Sequence, residues 1–112
     1  MKLITAVIRP ATFDSLKEAL ALFGVRGMTV GSVYHTEHQP GHVEIYRGQR
    51  FVSDMTPSLR IDLLAPEGEV ADLLRVIGKL VDNTDDAAER VWLTEVNLVV
   101  RVRTGERGID AL

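Results

Sequence analysis

Val70, Leu73, Leu74, Ile77, Leu80 and Val81 recur at the three- and four-residue spacing that lines up one side of a helix. This stripe is the strongest constraint in the sequence, and Pro66 and Glu67 stand where such a helix would open. Just ahead of it Leu59, Ile61 and Leu63 alternate with Arg60 and Asp62, the pattern of a strand with one buried and one wet face. After it, residues 91–103 predict a long strand. Val96, Leu98, Val100 and Val102 fall on one face of that strand, and Asn97, Val99, Arg101 and Arg103 on the other.

The first half of the chain repeats the arrangement. Residues 1–8 read as a strand stopped by Arg9-Pro10. Phe13, Leu16, Leu20 and Phe23 predict a helix, with Thr12 to cap its start and Gly24 to end it in a left-handed turn. Residues 28–36 predict a second strand. The order is strand–helix–strand twice over, which makes the chain an α+β protein of the ferredoxin-like βαββαβ kind. Its antiparallel sheet carries both helices on one face, and Val7, Val99 and their neighbours on the other face need cover. A single domain spanning residues 1–112 buries only a small core, so association with copies of itself is expected.

Composition excludes several classes. There is no cysteine, so disulfides and thiolate metal sites are out. A net charge of −3 gives no reason to expect nucleic acid as a partner. Apolar runs such as LTEVNLVV are too short and too polar to insert in a membrane, and MKLITAVIRP reaches Arg9 and Pro10 too soon for a signal peptide. A cytoplasmic location is the default expectation.

Residues 37–57 show no firm period. A loop of this length in a compact domain points to function, and contact with a partner is the expected role, although VEIYR can extend a hairpin. Near it lie all three histidines, His35, His38 and His42, with Glu37 and Glu44 among them. Imidazole and carboxylate suit zinc, copper or nickel, but the spacing matches no metal signature, and solvated loop histidines are the plainer reading. No catalytic constellation stands out, and Asp62 and Glu95 read as lone carboxylates on wet faces.

Four motifs in order, Arg9-Pro10, GVRGMTV from Gly24, QPGHVEIYRG from Gln39 and RVRTGERG from Arg101, make the chain resemble the PII signal-transduction proteins along its whole length. The resemblance implies a homotrimer that binds ATP or ADP in clefts between subunits. It also implies regulation of a protein partner, a membrane transporter or a metabolic enzyme, through a long T-loop, here about residues 37–54. The phosphate-binding B-loop corresponds to about residues 82–90 and the C-terminal loop to about residues 103–112. By resemblance Gly27, Met28 and Thr29 line the adenine side with Leu64 opposite, and Arg90, Arg101 and Arg103 reach the phosphates. Simple turn and core packing accounts for Gly27, Met28 and Thr29 equally well. Gln39, Gly41, Tyr46, Arg47 and Phe51 belong to the effector-binding and partner-contacting loop.

The departures from the family pattern carry as much weight. The family's B-loop is rich in glycine and ends in lysine; this one reads NTDDAAER. Backbone amides cradle a polyphosphate only at close approach, which glycine permits. Side chains now hinder that approach, and Asp85, Asp86 and Glu89 oppose the added charge, so AMP or ADP is expected to be favoured over ATP. The position of the family's uridylylated tyrosine is Phe51, which has no hydroxyl, and the lysine that helps hold 2-oxoglutarate is Ser58. The competing reading is a PII-like trimer that has lost nucleotide binding and senses a metal ion or bicarbonate.

Overall fold

The computed structural model describes residues 1–36, 45–46, 49–50, 55–81 and 89–112. Strand β1 (Lys2–Ile8) leads through a 3-10 turn (Pro10–Thr12) into helix α1 (Phe13–Phe23), followed by β2 (Thr29–His35). A two-residue ladder pairs β3 (Ile45–Tyr46) with β4 (Gln49–Arg50). Strand β5 (Thr56–Ala65) then leads through a second 3-10 turn (Glu67–Glu69) into α2 (Val70–Val81) and on to β6 (Arg90–Glu95). The main sheet has the order β2-β5-β1-β6, antiparallel at every pair, which is the ferredoxin-like fold expected.

The two central strands and the two helices make the core. Ile4, Ala6 and Ile8 of β1 and Ile61, Leu63 and Ala65 of β5 face Leu16 and Leu20 of α1 and Val70, Leu73 and Ile77 of α2. The register sets Ile4 against Leu63 and Ala6 against Ile61, so the apolar positions of both strands land on the same side. The helices cover the middle of the sheet and leave its edges bare, and Val30 and Tyr34 of β2 and Leu93 of β6 stay exposed on that side. Pro57 sits inside β5, opposite Tyr34 of β2. Its missing N–H breaks no ladder on the β1 side, because the β1–β5 pairing ends at Ile8 opposite Leu59.

Two local expectations change. Thr12 precedes α1 but makes no side-chain cap, because its own backbone is helical (φ −83°, ψ −16°). A side-chain cap needs an extended residue, and here the extended residue is Arg9, whose carbonyl accepts from the Thr12 N–H at 3.0 Å. The far end behaves as expected. Gly24 adopts φ 110°, and its N–H and that of Val25 close on the last turn of the helix.

The last strand is shorter than its alternation predicts, ending at Glu95 rather than Arg103. The cause is its partner: Glu95 pairs with Lys2, the first residue of β1, and Val96 makes one more bond to the Met1 carbonyl. With no strand left beside it, the chain folds back on itself. Val100 bridges Arg107, the Arg101 N–H donates to the Glu106 carbonyl at 2.9 Å, and the Gly108 N–H to that of Val99 at 2.8 Å. Leu98, Val100 and Val102 are therefore exposed.

The packing sets a stability test. Leu20→Ala should lower unfolding free energy by about 2–5 kcal/mol, because the side chain is fully enclosed. Leu22→Ala on the outer face of the same helix should change it by less than about 0.5 kcal/mol. Urea unfolding of both variants measures the contrast.

Candidate functional site

Strand order decides which of the expected site residues can meet. Thr29 opens β2 opposite Asp62 of β5, and Leu64 lies two residues along β5 on the same face. Gly27 and Met28 lead into β2 at this edge, with Met28 packed against the core and Gly27 exposed. The adenine-side group of Gly27, Thr29 and Leu64 thus gathers at one corner of the open sheet face. Arg90 starts β6, at the opposite edge, paired with Val7. The two edges are three strand spacings apart, about 14 Å. A single subunit therefore does not bring the two groups together.

Arg101 and Arg103 stand on the folded-back C-terminal segment, not on a strand. Both are exposed. Arg101 Nε donates to the Ala111 carbonyl at 3.0 Å, which ties the guanidinium to the 3-10 turn Gly108–Ala111. The intervening turn is braced by Thr104, whose hydroxyl donates to the Glu106 carboxylate. That bond, the Glu106 backbone N–H and the nearby Arg101 charge hold the Glu106 carboxyl below its ordinary value. Gly105 takes the left-handed conformation (φ 87°) that this reversal requires.

The open face carries a polar network that single-residue reading missed. Asp62 is not a lone carboxylate: Oδ1 accepts from the Thr5 hydroxyl at 2.6 Å and Oδ2 from Arg60 Nε at 3.1 Å. The Arg60 guanidinium lies 5.7 Å from the centre of the Trp92 ring, within cation–π range. Thr5 is flanked by Asp62 on β5 and Trp92 on β6. Arg60 reaches across the strand between them, and Thr5 is fully buried on a face that no helix covers. The signal was available only through register, since none of these residues is near another in sequence except Arg60 and Asp62. Glu95 also has a partner, the Lys2 ammonium, and their bond raises Lys2 and lowers Glu95 from their usual values.

Glu89 departs most from expectation. Placed among the carboxylates that would repel a polyphosphate, it instead turns inward. Its side chain is 1% exposed, and Oε1 accepts from Arg9 Nε at 3.0 Å. The repulsion attributed to it is therefore largely neutralised, while Asp85 and Asp86 lie outside the described residues. Gln39, Gly41, Arg47, Phe51, His38 and His42 lie outside them as well. Tyr46 pairs with Gln49 in the β3–β4 ladder. His35 ends β2 opposite Thr56. Among the described residues no group of three or more histidine, cysteine or acidic side chains is arranged to hold a metal ion.

The C-terminal turn is open to a pH test. A carboxyl with a depressed folded value stabilises the turn above its ordinary value of 4.5, and that contribution is lost as pH falls through the depressed one. Carboxyl NMR titration should place Glu106 below 4.5, and Thr104→Val should move it upward. An unchanged midpoint in the variant would remove Thr104 as the cause.

Comparison with known proteins gives a consistent answer. The family profile described as nitrogen regulatory protein P-II matches residues 1–106. The chain is 36% identical over 112 residues to the nitrogen regulatory protein P-II of Azospirillum brasilense, covering the whole of both chains. It is 32% identical to that of Rhizobium meliloti strain 1021 and 30% identical to the nitrogen regulatory protein GlnK of Escherichia coli K12, again over the full length of each. With the ferredoxin-like sheet and the full-length match together, the chain belongs to the nitrogen regulatory protein P-II family of signal-transduction regulators.

Proposed function

We propose that this protein is a homotrimeric PII-type regulator. It binds an adenine nucleotide between subunits, AMP or ADP in preference to ATP, and acts on a protein partner through residues 37–54. The observation that carries the reading is the separation of the two residue groups. Gly27, Thr29 and Leu64 at the β2 edge and Arg90 at the β6 edge belong to opposite sides of one subunit. A site containing both needs the β2 edge of one copy against the β6 edge of another. A head-to-tail contact of this kind makes a ring when its rotation is one third of a turn, and in such a ring the bare apolar residues Val30, Leu93, Leu98 and Val100 would gain cover.

The nucleotide preference follows from the residues at residues 82–90. No glycine lets the backbone approach a polyphosphate there, and Asp85 and Asp86 add opposing charge. Arg90, Arg101 and Arg103 supply enough positive charge for one or two phosphates. Adenine itself is held by apolar contact and backbone hydrogen bonds, which do not depend on the loop. A regulator of this design reports the low-energy nucleotides more than ATP, and its partner is a membrane transporter or a metabolic enzyme, met from the cytoplasmic side.

Two measurements check the proposal. Calorimetric titration with AMP, ADP and ATP, with and without magnesium, should give AMP or ADP tighter than ATP by about tenfold, or roughly 1.4 kcal/mol. Tightest binding to magnesium-ATP would overturn the preference. Light scattering at micromolar concentration should give three times the 12.4 kDa chain mass; a monomer would remove the shared site altogether.

A further inference from the structure

The Glu89 carboxylate is nearly sealed from water but only half satisfied. Oε1 accepts from Arg9 Nε at 3.0 Å, and Oε2 is buried with no hydrogen-bond donor. Leaving one acceptor of a buried charged group without a donor is destabilising, and chains rarely keep such an atom without a reason. Arg9 holds the carboxylate with Nε, and its side chain is 45% exposed, so the guanidinium is in reach of solvent while it grips a buried anion. Arg9 follows β1 by one residue, and Arg90 opens β6 opposite Val7. The two arginines thus leave the backbone at positions close to diagonal neighbours across a strand pair.

We propose that Glu89 is an internal competitor for an oxyanion at Arg9. In the closed arrangement the chain's own carboxylate occupies the guanidinium. A ligand bearing phosphate oxygens displaces it, and Glu89 swings out to where water satisfies both its oxygens. The unsatisfied Oε2 makes this exchange accessible: the closed state already forgoes one hydrogen bond, so less is lost on opening than from a fully bonded pair. Displacement of a charge-paired carboxylate still weakens anion binding, and Glu89 acts as a specificity-determining residue that sets how much each added phosphate contributes. This deepens the nucleotide reading and rests on it only for the identity of the phosphate-bearing ligand.

Inorganic tripolyphosphate, titrated into the full-length protein, tests the competition without adenine. Glu89→Gln keeps the shape and removes the charge, and it should bind tripolyphosphate about tenfold more tightly than the parent protein. The gain should vanish when Arg9→Gln is added to it. A Glu89→Gln protein of unchanged mass and melting temperature that binds no more tightly overturns the proposal. So does a gain that survives loss of Arg9. On the unaltered protein, the Glu89 side-chain carboxyl NMR signal should move to the position of a solvated carboxylate at saturating tripolyphosphate; a signal that stays fixed overturns the proposal without any variant. If AMP binds neither protein while the tripolyphosphate gain appears, the nucleotide reading fails and the competition at Arg9 stands.

Discussion

The register between β1 and β5 governs the rest of the molecule. Ile4 against Leu63 and Ala6 against Ile61 put Ile4, Ala6 and Ile8 of β1 and Ile61, Leu63 and Ala65 of β5 under the helices, and leave Leu3, Val7 and Leu64 on the open face. A slip of β5 by one residue would turn Arg60 and Asp62 into the core and Ile61 and Leu63 out to water. The same register brings Thr5 beside Asp62, so the pairing that builds the core also builds the hydrogen bond on the opposite face. Helix cover and polar network are two readings of one alignment.

Much of this was legible in the sequence, because the signals were strong and local. The stripe from Val70 to Val81 and the alternation of residues 59–64 each need one buried face, and each found it. What was not legible depends on partners far along the chain. Residues 91–103 alternate well beyond Glu95, but a strand continues only where another strand lies beside it, and β1 begins at Lys2. Alternation in residues 96–102 records a preference for a neighbouring strand, which β1 does not reach far enough to supply. Asp62 looked solitary because Thr5, one of its two partners, is 57 residues away. At the candidate site, residue types were readable and placement was not. Glu89 was legible as a carboxylate in a loop that ought to be neutral, but its rotation onto Arg9 needs the corner between β1 and α1 to be known.

The carboxylates of this chain therefore fall into different physical classes despite similar surroundings in sequence. Glu67, Glu95 and Asp72 make exposed pairs with Met1 or Lys2 and with Arg75, and such pairs are weak and screened by salt. Asp62 is half-buried and doubly bonded. Glu89 is enclosed and singly bonded. Net charge counts them equally, whereas their consequences for anion binding and for stability differ with burial.

Trp92 is the single tryptophan of the chain, and it lies on the uncovered face with a guanidinium near its ring. At 41% exposure its indole samples water, so its emission from the lone subunit should lie toward the red. Cover laid over that face by another copy would move the emission to shorter wavelength. Unless the guanidinium is displaced as well, the ring keeps its charged neighbour throughout. The protein thus carries its own optical reporter of whether the sheet is bare or covered, readable without any attached label.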